Sequence, residues 1–446
     1  MHLIQQIAFI ITLFVAGILL FRRIQFIRSA IKLGLPLDRT DQAGKRWKRV
    51  LLRAFGQKKM FARLIPALLH FIIYIGFIII NVEVLEFIID GITGKHRVFA
   101  LILNSEAGYN GFYNFIMNFF EILALGVIIA CVIFLIRRNI LKTNRFSGIE
   151  MKSWPVLDAN LILIFEIILM LAIFTMNGAD QLLQQKTTAG YTFTGDLILS
   201  KNLIIPWLYN LNESSLIIIE RFFWWFHIIG ILGFAVYVTY SKHLHIFLAF
   251  PNTYYASLKS PAEISSMETV TKEVKMMLGL DMSPDIEAIS EEIPSLGAKD
   301  VTELTWKNLM DAFSCTECGR CTSVCPANIT GKKLSPRKVL MDVRDRAEAL
   351  TRNNRYNIRE KVDGSLFDFI TKEELFACTT CNACIEACPV SIDPVAIILQ
   401  MRRYTTMEES TAPAAWNMMF NNIETNFAPW KFPATDRFKW VEEIDK

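Results

Sequence analysis

Histidine is scarce in this chain, with six among 446 residues, and Cys131 is the one cysteine before Cys315. So thin a distribution excludes a disulfide-stapled scaffold, which needs dense cysteine in a small secreted chain. No Gly-x-Gly-x-x-Gly occurs, so the dinucleotide and flavin fingerprint is missing. No stretch has the alternation expected of a four-stranded ferredoxin sheet. Charge is also rationed: the formal balance of +4 hides long stretches with almost none and short ones crowded with cations. A mean hydropathy of +0.33 and 33 phenylalanines are too apolar for an ordinary soluble protein.

The apolar stretches, with few charges each, cover about 3–21, 64–89, 112–136, 156–176 and 215–250. Each is long enough to cross a hydrocarbon layer of ~30 Å. The first lacks the basic start and small-residue cleavage site of a signal peptide, so it reads as an uncleaved anchor. Segments 22–63 and 137–155 are strongly basic. A basic patch could serve nucleic acid, but here it is flanked by spans, and the positive-inside rule accounts for it. No nucleic-acid partner is expected. That rule puts 22–63 and 137–155 in the cytoplasm and 90–111 and 178–214 outside. The N-terminus is then outside, and everything after Pro251 is cytoplasmic.

The cysteines are concentrated in two runs, Cys315-x2-Cys318-x2-Cys321-x3-Cys325-Pro326 and Cys378-x2-Cys381-x2-Cys384-x3-Cys388-Pro389. This is the bacterial two-cluster spacing, in which the fourth thiolate of each run crosses to the other cubane. One [4Fe-4S] cluster is expected on Cys315, Cys318, Cys321 and Cys388. The second is expected on Cys378, Cys381, Cys384 and Cys325. Two zinc sites could use the CxxC pairs, but they give no reason for the repeated x3-Cys-Pro ending. Helices are expected from Leu334 and from Pro394, turns at Asn353-Asn354 and Gly364-Ser365, and a partly helical linker around Ser283-Pro284-Asp285.

Four of the histidines, His70, His227, His243 and His245, lie in or beside apolar stretches. An imidazole in lipid is costly unless it is paired or ligating. Counted along helices, His70 and His245 fall at matching depths, roughly 10 and 8 Å inside the cytoplasmic edge. That pair fits the axial ligands of one haem b. His243 faces elsewhere, near Lys242, and is expected either to support the haem ligands from behind or to be interfacial. His227 lies about 27 Å from His245 if one helix carries both. A second haem there lacks a partner, because the matching position is Ile80, unless His96 bends in from the outer loop. His227 otherwise bonds a neighbour or lines a quinone pocket. Glu83 and Glu86 either pair with Arg97 or Arg221 or relay a proton.

The stretches Arg221-Phe-Phe-Trp224-Trp225-Phe-His227, Tyr240-Ser241-Lys242-His243-Leu-His245 and Pro251-Asn252 resemble the haem b subunit of heterodisulfide reductase. That subunit is itself similar to the membrane gamma subunit of respiratory nitrate reductase. The resemblance implies two haems on four histidines; His70, His227 and His245 match three positions, and Ile80 stands at the fourth. The cysteine region resembles the electron-transfer domain of heterodisulfide reductase and of glycolate oxidase iron–sulfur subunits, which implies an all-helical two-cluster fold. Asn421-Asn422-Ile423-Glu424 and Ala428-Pro429-Trp430 look like the linker before the catalytic CCG modules of that family. The chain ends at Lys446 without those modules, so a separate cytoplasmic CCG subunit is the expected partner, docking by way of Trp416, Trp430 and Trp440.

The expected fold is therefore mostly α: a five-helix haem b bundle over 1–250, a linker over 251–300, a helical two-[4Fe-4S] domain over 301–408 and a tail over 409–446. The expected function is electron transfer between membrane quinone, haem b and the two clusters. The rivals are a self-contained quinone-linked oxidoreductase, a sensor or assembly protein with structural clusters, and a transporter, which the absence of inverted repeats disfavours.

Overall fold

Long apolar runs without internal proline or glycine clusters can satisfy their backbone groups in lipid only as helices. The computed structural model describes residues 3–103, 111–146, 148–260, 263–280, 296–356 and 363–444. Five helices are long and apolar enough to cross a membrane: α1 (Leu3–Ile31), α2 (Leu64–Thr93), α3 (Gly111–Leu135), α4 (Trp154–Gln185) and α5 (Glu213–Val238). Their ends carry local signals. Asn212 accepts the Ser215 N–H (2.8 Å) at the start of α5, and Gly94, at φ 73°, closes α2 by donating its N–H to Asp90. The helices form a ring in which α1 packs on α2 and α5, α2 on α3, α3 on α4 and α4 on α5. Phe14, Phe115, Ile218 and Phe222 point outward and are exposed, as lipid-facing side chains are.

The short helices Val98–Leu103 and Ile198–Leu203 pack on α2, α3 and α4. Other helices build a second body at the end of the ring that carries the basic segments. They are α6 (His245–Tyr254), α7 (Trp306–Phe313), α8 (Pro336–Tyr356), α9 (Lys372–Ala377), α10 (Pro394–Arg403) and α11 (Ala414–Asn426), with shorter turns among them. There is no strand among the described residues, only an isolated bridge between Leu35 and Thr305. The expected all-helical cysteine domain after five apolar helices is what the structure has.

Three expectations about boundaries need correction. The fifth apolar run is not one helix to Phe250. It stops at Val238, turns through Thr239–Ser241, and restarts at His245. Asp158 of α4 explains the break, because it accepts the Tyr237 hydroxyl and the Lys242 backbone N–H, while the Ser241 hydroxyl caps His243 N–H. The count of ~27 Å between His227 and His245 assumed an unbroken helix, so it does not apply. Second, the first helix does not end with the apolar stretch at about residue 21 but continues to Ile31, into the basic segment 22–63. The last turns of α1 bring Phe26, Ile27 and Ala30 into one core with Leu304, Leu309, Phe313 and Leu340 of the cysteine domain. Third, Asn353-Asn354 is not a turn but part of α8. The turn expected at Gly364-Ser365 is present, with Ser365 capping a short turn. Ser283-Pro284-Asp285 lies outside the described residues.

Backbone contacts reinforce the junction. Leu35 donates to Leu304 O (2.8 Å), Trp306 N–H donates back to Leu35 O (3.0 Å), and the Trp306 indole donates to Leu37 O (2.9 Å). Arg23 reaches Glu348 (2.7 Å), and buried Arg337 of α8 reaches Glu150 (2.6 Å) just before α4. The cysteine domain is thereby held against the membrane helices by ion pairs as well as by a shared core.

Candidate functional site

The two cysteine runs fold alike because their sequences demand the same backbone. In the first, Glu317 and Gly319 take positive φ (53° and 69°); in the second, Thr380 and Asn382 do (54° and 60°). Glycine and asparagine are the residues that reach this region most cheaply. The alternation turns backbone N–H groups inward as an anion-holding concavity. Thr380 N–H and Ile392 N–H point at the sulfurs of Cys378 and Cys388, each at 3.4 Å.

Cys315, Cys318, Cys321 and Cys388 line one cavity, with Cys384, Arg320, Arg337 and Val390 also on its wall. Burial, and then Cys318 beside it, push the Cys388 thiol up to about 12. Burial likewise pushes Cys315 up to about 12, and Cys318 and Cys388 are among the groups that add to it. For Cys384, burial raises the thiol and the neighbouring cysteines that add to it are Cys378 and Cys325. The neighbourhoods of Cys388 and Cys325 are thus those of the other run. A thiolate is hard to hold in such surroundings unless a metal compensates it, so the donor chemistry fits a cluster with crossed ligation. Among the described residues, no three histidine, cysteine or acidic side chains converge closely enough to hold a single ion; the cysteines frame a space. Cys315, Cys325 and Cys384 are buried, whereas Cys381 is exposed.

Glu317, between Cys315 and Cys318, ties the first run to the bundle. It accepts from Lys242 (2.5 Å), in the turn after α5, and from Arg344 of α8 (2.9 Å). Burial alone would raise its carboxyl, but Lys242 and Arg344 hold it below the ordinary range.

His70 of α2 and His245, the first residue of α6, face one another with ring centres 6.4 Å apart. Two imidazoles on one metal, each bonded at about 2 Å, put their ring centres roughly 6 Å apart. His70 Nδ1 meets Gln57 Oε1 (3.1 Å), and His245 Nδ1 meets Lys242 O (3.1 Å). Both oxygens are acceptors, so Nδ1 carries the proton and Nε2 keeps its lone pair, as metal-ligating histidines do. The histidine pair therefore fits a haem. His243 packs against His245 and Phe234.

His227 repeats the same pattern without a partner imidazole. Its Nδ1 donates to Leu169 O (3.0 Å), and its buried Nε2 has no hydrogen-bond partner. Ile80 is packed with Ala124, Val127 and Leu169. His96 does not bend toward His227; its Nε2 is held by Asp180 at 2.8 Å. Glu83 and Glu86 face Arg97 at 3.5 and 4.0 Å, and Glu220 pairs with Arg221.

Three contributors are not evident from sequence. Gln57 orients His70 from outside its helix, and no local pattern announces it. Arg320 lines the first cluster cavity and donates to the carbonyl of Lys59 (3.1 Å), in the same short segment before α2 that carries Gln57. Asn252 of α6 donates to Val390 O (3.0 Å), on the cavity wall; the pair Pro251-Asn252 was visible only as part of a resemblance. In the tail, Trp416 packs back on Phe376, while Trp430 and Trp440 are exposed.

Comparison with known proteins supports the iron–sulfur reading of the cysteine runs. A 4Fe-4S dicluster domain profile matches residues 314–392, and a second 4Fe-4S dicluster profile matches 271–330. The chain is 26% identical over 445 residues to a probable iron-sulfur-binding oxidoreductase, FadF, of Bacillus subtilis, covering 93% of this chain and 57% of that one. It is 24% identical over 439 residues to EtfAB:quinone oxidoreductase of Syntrophomonas wolfei, covering 91% of this chain and 55% of that one. Over 164 residues it is 27% identical to one component of the dihydromethanophenazine:CoB–CoM heterodisulfide reductase of Methanosarcina mazei, covering 34% of this chain and 37% of that one. The chain thus spans a little over half the length of the first two relatives. No solved structure matches it. The chain is similar to iron–sulfur oxidoreductases and to heterodisulfide reductase components, and it combines a 4Fe-4S dicluster domain with five helices able to cross a membrane.

Proposed function

We propose that the chain is a membrane-bound electron conduit between quinone and a cytoplasmic redox partner, by way of a haem b on His70 and His245 and two [4Fe-4S] clusters with crossed ligation. One observation carries this reading: each histidine connects to the first cluster cavity through a single short element. His245 begins α6, and Asn252, about 10 Å further along that helix, holds Val390 on the cavity wall. His70 leans on Gln57, and the neighbouring Lys59 carbonyl holds Arg320 on the cavity wall. Bound haem and clusters supply one-electron storage at separated points; the protein supplies spacing, ligation and potential.

The residues' own parts follow from their contacts. Gln57 and Lys242 O fix the histidine tautomers. Glu317 holds the first cysteine loop to the bundle through Lys242. The exposed Cys381 puts the second cysteine set near the surface, where a separate protein, such as a CCG-type oxidoreductase, can exchange electrons. Trp430 and Trp440 offer that protein aromatic anchors. EtfAB:quinone oxidoreductase names a quinone, and the heterodisulfide reductase component names a multi-subunit redox assembly; both support this assignment. A cytoplasmic cysteine domain is supported by the positive-inside rule, since the domain shares its side of the ring with the basic segments.

The test is reduction by a quinol analogue. In the anaerobically purified chain, the analogue should reduce both a haem and at least one cluster, seen by optical and paramagnetic spectra. His70→Ala or His245→Ala should abolish the haem signal and slow cluster reduction by at least tenfold. Reduction that is unchanged in both variants refutes the path.

A further inference from the structure

A cavity of about 840 Å³ opens where the segment before α2 meets the two cysteine loops. Its far wall is Arg320 and Val324 from the first loop and Ala383 and Ala387 from the second. The near wall is cationic, with Lys45, Lys48, Arg49, Arg53, Lys58 and Arg63. Lys59 also lines it, 3.4 Å from Glu386, the one carboxylate on the lining. The arginine contacts do not offset this charge, because Arg53 and Arg63 reach the neutral hydroxyls of Ser391 and Ser323 and Arg49 reaches a backbone carbonyl. Eight cations thus surround a space with one acid.

The position of the cavity narrows its occupant. Arg63 immediately precedes Leu64, the first residue of α2, so the cations sit where the apolar span begins. Leu52 lines the cavity, and with Trp47, Leu51 and Phe55 it forms an exposed apolar surface on the same short helical segment. Cations alternating with exposed tryptophan, leucine and phenylalanine mark a helix lying in a membrane interface. A free inorganic anion would match the charges and leave that apolar surface in water. Basic recesses beside membrane spans bind anionic lipid headgroups.

We propose that this cavity binds the headgroup of an anionic phospholipid, with its acyl chains along Leu51, Leu52 and Phe55. The phosphate bridges the segment before α2 to Arg320 of the first cysteine loop, so the lipid braces the cluster domain against the bundle. Arg320 lines this cavity and the first cluster cavity alike, which puts the lipid one side chain from that cavity. The assignment does not depend on the haem or on quinone.

The experiment is native mass spectrometry of the full chain with its clusters, in detergent. The probes are phosphatidylglycerol and phosphatidylcholine with identical acyl chains, with inorganic phosphate as a competitor. Phosphatidylglycerol should bind at least tenfold better than phosphatidylcholine, and millimolar phosphate should not displace it. The combined variant Lys45→Gln, Lys48→Gln, Lys58→Gln changes exposed side chains only and should keep the cluster absorbance. It should lower phosphatidylglycerol affinity roughly a hundredfold. Lys439→Gln, in the tail, should leave binding unchanged. Equal binding of the two lipids, displacement by phosphate, or full retention by the triple variant with intact clusters overturns the proposal.

Discussion

Cys388 and Cys325 are the residues on which the proposed cluster ligation turns, because in it each lies in one run and serves the other. Cys388→Ser should damage the cluster nucleated by Cys315, Cys318 and Cys321 and spare the one on Cys378, Cys381 and Cys384. Paramagnetic spectra of the reduced variant, compared with Cys325→Ser, check this; loss of the same cluster in both would sink crossed ligation. Gln57 is the matching test at the haem site. Gln57→Leu removes the acceptor that fixes His70 Nδ1–H, and losing such an orienting bond costs about 10–100-fold in affinity. Haem retention during dilution should fall accordingly. The cysteines and the histidine pair were legible in sequence, since spacing is itself the signal for thiolates and an imidazole in an apolar run is conspicuous. Gln57 and Arg320 were not, because what distinguishes them is what they face in three dimensions.

At the scale of elements, the instructive part is the end of α5. Residues 215–250 read as one apolar span, with Ser241-Lys242-His243 as a short polar exception. The break depends on Asp158, about eighty positions away in the chain, drawing in Tyr237 and Lys242. Local patterns cannot report such a partner. The proximity of His70 and His245 was nevertheless expected for a reason that only partly holds: both lie near the same edge of the bundle, but on α2 and on the separate α6. The junction of α1 with the cysteine domain is the other tertiary effect. A Cβ at Gly34 would stand 2.5 Å from the Trp306 backbone nitrogen, a contact that side-chain rotation cannot relieve. Gly34→Ala should therefore destabilise by about 1–3 kcal/mol, read as a lower Tm for the cluster domain. An unchanged Tm would mean that the two backbones are not so closely apposed.

For the whole molecule, the question is what joins the membrane helices to the cluster domain. Five spans and an all-helical cysteine domain could be read from composition and spacing. Their union could not, because the basic segment reads equally well as a simple topology signal. Glu150–Arg337 is one of the joining ion pairs. Burial raises the Glu150 carboxyl, but Arg337 and Ser335 bring it below its ordinary value. A carboxyl with a depressed folded-state pKa adds stability above its unfolded value and loses it as pH falls through the folded one. Glu150→Gln leaves a buried guanidinium without its counter-charge, so at neutral pH it should destabilise by on the order of 3 kcal/mol. The gap from the parent should close below about pH 4, as a pH series of thermal melts would show; a gap independent of pH would mean that charge is not what holds the junction.

The most direct measurement of the proposed conduit is the composition of the anaerobically purified chain: iron, acid-labile sulfide and haem per polypeptide, with paramagnetic spectra of the reduced protein. The expected result is about eight cluster irons with matching sulfide, and a low-spin haem that His70→Ala removes without loss of the cluster iron. Zinc in place of iron, or a chain replete with clusters yet devoid of porphyrin, would contradict it.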